Sequence, residues 1–342
     1  MYRSRVHLFP AAPRYWFVAP LVLGLSCRCT TRSVRRELAS AVRGPEAPAP
    51  TAPPEPTPAS PDAPPTVGGC PVFPADSPWN RDVSRDPVDP RSAQYMASIA
   101  AHGPNTLHPD FGARARYGIP YMIVPESTPM TTVRFDEYGD ESDPGPYPIP
   151  MTAPIEAGRD HHVLVVQQGV CRLFELYHAR RSRNGWLAGA GAVFDLRNGT
   201  TRPRGWTSTD QAGMPILAGL ARRNEVSAGA IRHALRVTFD HTQAGWIAPA
   251  NHPGGTDDRD APPMGLRLRM KASFDTSGFT GQTRVILEAL KRYGLLVADT
   301  GTNWYISGAP DSGWDADDLD QLETVTGDAF EVVATGEIQR HP

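Results

Sequence analysis

Two carboxylates near the middle of the chain have the setting that acid–base chemistry asks for. Glu175 lies in the run Cys171-Arg-Leu-Phe-Glu-Leu-Tyr-His178. Period-2 alternation puts Cys171, Leu173, Glu175 and Tyr177 on one face of a strand, and Arg172, Phe174, Leu176 and His178 on the other. A carboxylate among apolar neighbours loses hydration, which raises its pKa toward the range of a general acid. Glycoside hydrolysis needs such an acid and a second carboxylate about 5 to 10 Å away. Asp195, between Phe194 and Leu196 on the following predicted strand, is the expected partner if the two strands pair. The structural alternative for Glu175 is an ion pair with an arginine.

Other residues suggest other chemistry. The run Asp136-Glu-Tyr-Gly-Asp-Glu-Ser-Asp143 carries five carboxylates ahead of a proline-rich loop. Asp140, Glu141 and Asp143 are candidate oxygen ligands for calcium, although the spacing matches no EF-hand and a solvated acidic loop accounts for it as well. No other cofactor is expected. Arg267, Arg269 and Lys271 share one face of an alternating segment, about 7 Å apart, which would suit the charges of an acidic polysaccharide. With a histidine or tyrosine base beside them, that stripe suggests a lyase acting on uronate polymers. The alternative is the water-facing side of a half-buried sheet. His161, His162, His178, His233, His241 and His252 show no helical metal spacing, and His162 is the one placed beside a strand face as a binding group or base. Trp186, Trp206, Trp246, Trp304 and Trp314 fall in or beside predicted loops. Trp206 and Trp304 are the candidates for stacking on sugar rings, against the alternative that a large domain needs an aromatic core.

These residues require a scaffold made mostly of strands. The pattern predicts strands at Tyr121–Val124 and Thr132–Phe135 and a hairpin of His161–Gln167 with Cys171–His178 about Gln168-Gly169. Further strands are predicted at Trp186–Arg197, Ala234–Asp240, Gly245–Pro249, Leu266–Phe274, Leu295–Ala298 and Ala329–Ala334. Helices are predicted at Ala93–Ala101 and Thr283–Tyr293, the latter stopped by Gly294, with a short acidic helix capped by Asp315 and helical turns at Leu217–Glu225 and Ser227–Ile231. Roughly ten strands with a few peripheral helices predict a mainly β domain of β-sandwich or jelly-roll type.

The first 70 residues give an address. Arg3, Arg5 and Arg14 precede an apolar run of about a dozen residues, Tyr15–Leu25, which has signal-peptide length and is too short to span a bilayer. Residues 1–27 are therefore expected to be a signal peptide or lipoprotein signal. A lipid at Cys27 would be the only link to a membrane. Residues 28–68, rich in proline and alanine, are expected to form a disordered tether, and residues 69–342 the functional domain. In an exported domain, Cys70 and Cys171 are expected to form a disulfide. The net charge of −3 and dispersed basic residues argue against a nucleic-acid partner.

The runs Cys70-Pro-Val-Phe-Pro-Ala-Asp-Ser-Pro-Trp-Asn80, Asp140-Glu-Ser-Asp-Pro-Gly-Pro-Tyr-Pro-Ile-Pro150, Gly191-Ala-Val-Phe-Asp195 and Tyr293-Gly-Leu-Leu-Val-Ala-Asp299 resemble a family of secreted bacterial proteins without an assigned activity. The resemblance covers almost everything after the tether and implies an exported single domain, with no catalytic residue to carry over. The chain has no Gly-x-Ser-x-Gly elbow, Walker loop, His-Glu-x-x-His helix or dinucleotide fingerprint. The reading that remains is a secreted or surface-anchored glycoside hydrolase acting on extracellular polysaccharide through Glu175 and Asp195. Its alternatives are a polysaccharide lyase and a non-catalytic module that binds glycan or protein.

Overall fold

The structure is a computed structural model that describes residues 63–114, 116–199 and 202–340. The expected signal, the Cys27 anchor and nearly all of the tether lie outside the described residues. Two short strands, β1 (Thr66–Val67) and β2 (Cys70–Pro71), open the described part and pair antiparallel.

The hairpin read from the sequence forms the centre of a four-stranded sheet. β6 (Val163–Gln167) and β7 (Arg172–Tyr177) pair antiparallel with Gln167 opposite Arg172. Gly169 takes φ of 73° in the turn, a left-handed conformation that glycine adopts at little cost. β4 (Tyr121–Val124) adds parallel to β6, and β10 (Ala190–Asp195) antiparallel to β7, giving the order β10-β7-β6-β4. Every residue of β6 is buried, because this sheet is covered on both faces. Leu164, Val166, Leu173, Ala192 and Phe194 enter the large core, while Val163, Val165, Phe174 and Leu176 enter a smaller one. The period-2 pattern thus separates two cores rather than core from solvent.

The small core is closed by β5 (Val133–Phe135), β8 (Arg180–Ser182) and β9 (Gly185–Ala188), in the order β5-β9-β8. The single strand predicted over Trp186–Arg197 is two strands. The chain leaves one sheet and joins the next at Gly189, whose amide donates to the Tyr177 carbonyl.

On the other side lies a mixed six-stranded sheet. It contains β3 (His108–Asp110), β11 (Leu235–Phe239), β12 (Arg267–Met270), β13 (Leu295–Thr300), β14 (Tyr305–Ser307) and β15 (Phe330–Val333), in the order β15-β12-β13-β11-β14-β3. β11 and β13 run parallel, a pairing that local patterning cannot announce. Among the helices, α1 (Ser92–Ala101), α2 (Arg223–Ser227), α3 (Gly281–Arg292) and α4 (Ala316–Leu319), only α3 is long and strongly two-faced. It buries Ile286, Leu287 and Leu290, at about 1.5 to 3 kcal/mol for each side chain. Gly294 then ends it with φ of 69°, where a Cβ would stand 2.0 Å from the Leu268 carbonyl oxygen. Asp315 caps α4 by accepting from the Asp318 amide. The helix expected over Ser227–Ile231 stops at Ser227, and Gly245–Pro249 forms only isolated bridges at Trp246.

The described chain is a mainly β domain of several sheets with few short helices and no barrel. Among its described residues, no helix is long and apolar enough to cross a membrane. Cys70 and Cys171 are disulfide-bonded across 101 residues, tying β2 to the residue before β7.

Candidate functional site

Glu175 does point into a low-polarity interior, on the same face of β7 as Leu173. It is wholly buried, yet fully engaged. Its Oε2 accepts from the Thr209 hydroxyl at 2.8 Å and the Ile216 amide at 3.2 Å, and its Oε1 accepts from the Leu217 amide at 3.0 Å. Burial pushes its pKa up, opposed by these donors. The residue anchors the 209–217 segment across the sheet and takes the place of the arginine ion pair considered from sequence.

Asp195 is not its partner. β7 and β10 do pair, but in a register that sets Glu175 opposite Ala192 and Asp195 opposite Arg172. Cross-strand partners share a face and alternate residues change face, so the two carboxylates lie on opposite sides of the sheet. Asp195 instead accepts from the Arg197 amide and the Asn198 side chain at 2.9 Å each, closing a turn.

The arginine stripe is also folded inward. The β12 strand ends at Met270 and all four of its residues are buried. Arg267 donates to the carbonyls of Tyr293 and Pro78, and Arg269 to those of Val83 and Asp86, with a further ion pair to Glu331 at 2.8 Å. Alternation reported the two faces correctly. The second is covered by the 78–86 segment rather than by water.

The acidic run serves protein donors. Asp143 accepts from the Val193 amide at 2.8 Å and from the Arg202 guanidinium, and Glu141 accepts from the Thr207 amide at 2.7 Å. Asp140 is exposed, and among the described residues no group of three histidine, cysteine or acidic side chains is placed to hold a metal ion. Four of the five loop tryptophans are core residues. Trp304 is fully buried between Phe239 and Phe330, and Trp186, Trp246 and Trp314 are buried too. Only Trp206 keeps a partly open ring, with the Arg202 guanidinium 5.6 Å from its centroid.

Three of the residues singled out from the sequence, His162, Glu141 and His252, meet at one cavity. His162 lines a cleft of about 380 Å³ together with Tyr138, Asp160, Tyr177, Thr209, Asp210 and Asp299, among other polar groups. The cleft lies where the N-terminal end of β6 and the C-terminal ends of β7 and β13 meet the 207–211 loop. His162 Nδ1 donates to Glu156 Oε2 at 2.7 Å and Nε2 to the Thr209 carbonyl at 2.9 Å. Burial pushes its pKa down, but the Glu156 carboxylate more than offsets this and holds it above the ordinary value. With both ring nitrogens facing acceptors, the histidine is a locked imidazolium that shapes the cleft. It has no free lone pair to act as a base or ligand.

Asp299, at the end of the apolar run Leu295-Leu-Val-Ala298, also lines the cleft. Behind it, the buried Asp210 receives two guanidinium hydrogen bonds from Arg236, at 2.7 and 3.2 Å. Arg236 Nη2 lies farther from Asp299, at 3.9 Å. Burial first, then the Asp210 charge and a hydrogen bond shared with it, push Asp299 well above the ordinary 3.8, with Arg236 opposing. Arg236 pairs more closely with Asp210 than with Asp299, which leaves Asp299 as the carboxyl pushed upward by its neighbour. Its side chain is still 32% open. Tyr177 stays protonated, since burial and the nearby Asp160 charge push it up to about 12. Asp160 is exposed and has no side-chain partner among the described residues. The cleft thus presents a carboxyl raised above its ordinary range, the Asp160 carboxylate and the phenols of Tyr138 and Tyr177, with the Glu141 carboxylate held by the Thr207 amide, a set suited to donating and accepting protons around an oxygen-rich ligand.

Sequence reasoning missed Asp299, Asp210 and Arg236, of which Asp210 and Asp299 are 89 residues apart along the chain. An apolar strand ending abruptly in a carboxylate was the signal for Asp299, and the run Thr207-Ser-Thr-Asp210 was the signal for the loop. No protein-family model matches the chain, and no curated protein or solved structure is significantly similar to it. The resemblance to secreted bacterial proteins therefore rests on the quoted motifs alone.

Proposed function

We propose that this protein is an exported glycan-active enzyme that hydrolyses glycosidic bonds in extracellular polysaccharide, with Asp299 as general acid and Asp160 as the ionised carboxylate. Asp299 donates its proton to the leaving oxygen. Asp160 activates water or stabilises the developing positive charge on the sugar. Tyr138 and Tyr177 supply ring faces and hydroxyls to the sugar. The observation that carries this reading is the partly open Asp299 carboxyl beside the buried Asp210–Arg236 pair, in a cleft walled by hydrogen-bonding side chains. Glu175 and Asp195, the pair expected from sequence, are engaged structurally and are not assigned chemistry. Export is supported by the apolar run before Cys27 and by the disulfide, which suits an oxidising compartment. Mass spectrometry of the mature N-terminus would separate secretion from lipid anchoring at Cys27.

The test is reducing-end release from a panel of neutral and acidic polysaccharides, with and without chelator. Asp299→Asn and Asp160→Asn should each lower turnover at least 100-fold, the lower end expected for loss of a general acid or base, while leaving binding in place. Binding without release from any member would assign a non-catalytic module instead, and product absorbance in the ultraviolet would assign a lyase.

A further inference from the structure

A second cavity shares a wall with the cleft. It is a groove of about 480 Å³ lined by Ile155, Arg159, His161, His178, Ala179, Arg180 and Arg181. The neighbours of these residues in sequence, Asp160, His162 and Tyr177, line the cleft. The division comes from the backbone. His161 and His178 both have φ of 48°, which is strained for a residue with a Cβ. The two kinks are bonded to each other, the His178 amide to the Asp160 carbonyl at 2.8 Å and the Ala179 amide to the His161 carbonyl at 3.1 Å. Consecutive side chains are thus sent into different cavities, and the Tyr177 and His178 rings stack 4.0 Å apart between them.

The groove is cationic although the chain carries net negative charge. Arg181 donates to the Met151 and Ala153 carbonyls at 2.6 and 2.7 Å and lies 5.3 Å from the Trp186 ring centroid. These partners fix its orientation without neutralising it. Among the described residues, no carboxylate lies within ion-pair distance of Arg159 or Arg181. Of the acidic groups nearby, Asp136 is matched with Arg180, Glu137 with His178 and Glu156 with His162, while Asp160 lines the cleft. A preorganised guanidinium whose charge is left over favours a carboxylate or sulfate ligand.

We propose that this groove is a recognition subsite for acidic sugar residues, so that the substrate is an anionic polysaccharide whose charged units lie along Arg159 and Arg181 while the neighbouring linkage sits over Asp299. The substrate class rests on the hydrolase reading, but the groove can be tested by binding alone. Oligogalacturonate is titrated into the full chain carrying Asp299→Asn, and into the same chain with Arg159→Glu and Arg181→Gln added at exposed positions, with thermal melting as the control for folding. The expected result is saturable binding that weakens at least tenfold in the charge variant and falls with added salt, with neutral xylan oligomers unaffected by the variant. Equal binding by both proteins, or no binding of oligogalacturonate or sulfated glycan oligomers, would overturn the subsite. Equally tight binding of single-stranded DNA would overturn its assignment to glycans. Turnover of neutral polysaccharide by a wild type that ignores acidic ones would remove the subsite and leave the hydrolase standing. Charge-dependent binding without turnover would do the reverse.

Discussion

At the scale of single residues, access to the cleft separates Asp299 from Glu175. Both are pushed upward, but Glu175 is closed in by three protein donors and Asp299 opens on a cleft. A general acid works only while protonated, so activity should persist as pH rises past 3.8 and fall as pH passes through the raised Asp299 value. This is read from the pH profile of kcat/KM, and Asp299→Asn should remove the alkaline limb along with most of the rate. Glu175→Gln should behave differently. Two backbone amides and a hydroxyl face a carboxylate there, and an amide group turns one of its two ends into a donor, leaving a buried N–H without an acceptor. That costs about 1 to 3 kcal/mol of stability, measurable by denaturant unfolding, with far less loss of turnover per folded molecule than Asp299→Asn shows.

Among elements, the clearest lesson concerns what periodicity reports. The β6–β7 hairpin, α1, α3 and the strands at Tyr121 and Leu295 were legible because turn residues, stop signals and alternation are local. The site was not. Its residues come from β7, β13, the 207–211 loop and the segment before β6, and the β7–β10 register that separates Glu175 from Asp195 is set by pairing across the sheet. Alternation also cannot say what covers a face. It placed Arg267 and Arg269 together correctly, and the 78–86 segment then buried both. The motifs quoted for the family resemblance are largely scaffold in the same sense. Asn80 donates to the carbonyls of Val72, Phe73 and Pro74, and Tyr147 is buried with its hydroxyl on the Asp143 carbonyl. A further prediction belongs to α2 and the turn after it. Burial pushes Glu225 up, but the charges of Arg222 and His233 hold it down at about 2, against an ordinary 4.5. The folded state therefore gains stability that is present above pH 4.5 and is lost as pH falls from 4.5 toward 2. Glu225→Gln should cost about 3 kcal/mol at neutral pH, with the difference from wild type narrowing across that window in urea unfolding at successive pH values.

For the whole molecule, the disulfide is the feature that accords with the proposed export, because such bonds persist in oxidising compartments. The bridge closes a long loop between β2 and the central hairpin, so reduction, or Cys70→Ser with Cys171→Ser, should lower stability by about 2 to 5 kcal/mol in denaturant unfolding. The cleft and the cationic groove lie on either side of the same pair of backbone kinks, which is why one polymer could engage both. The proposed chemistry depends most on the Asp299 carboxyl holding its proton well above the ordinary carboxylate range. The direct measurement is a titration of the Asp299 carboxyl by carbon-13 NMR in the folded protein. The prediction is a midpoint well above 3.8 that moves down in Asp210→Asn, where the neighbouring negative charge is gone. A midpoint near 3.8, unchanged by Asp210→Asn, would contradict it.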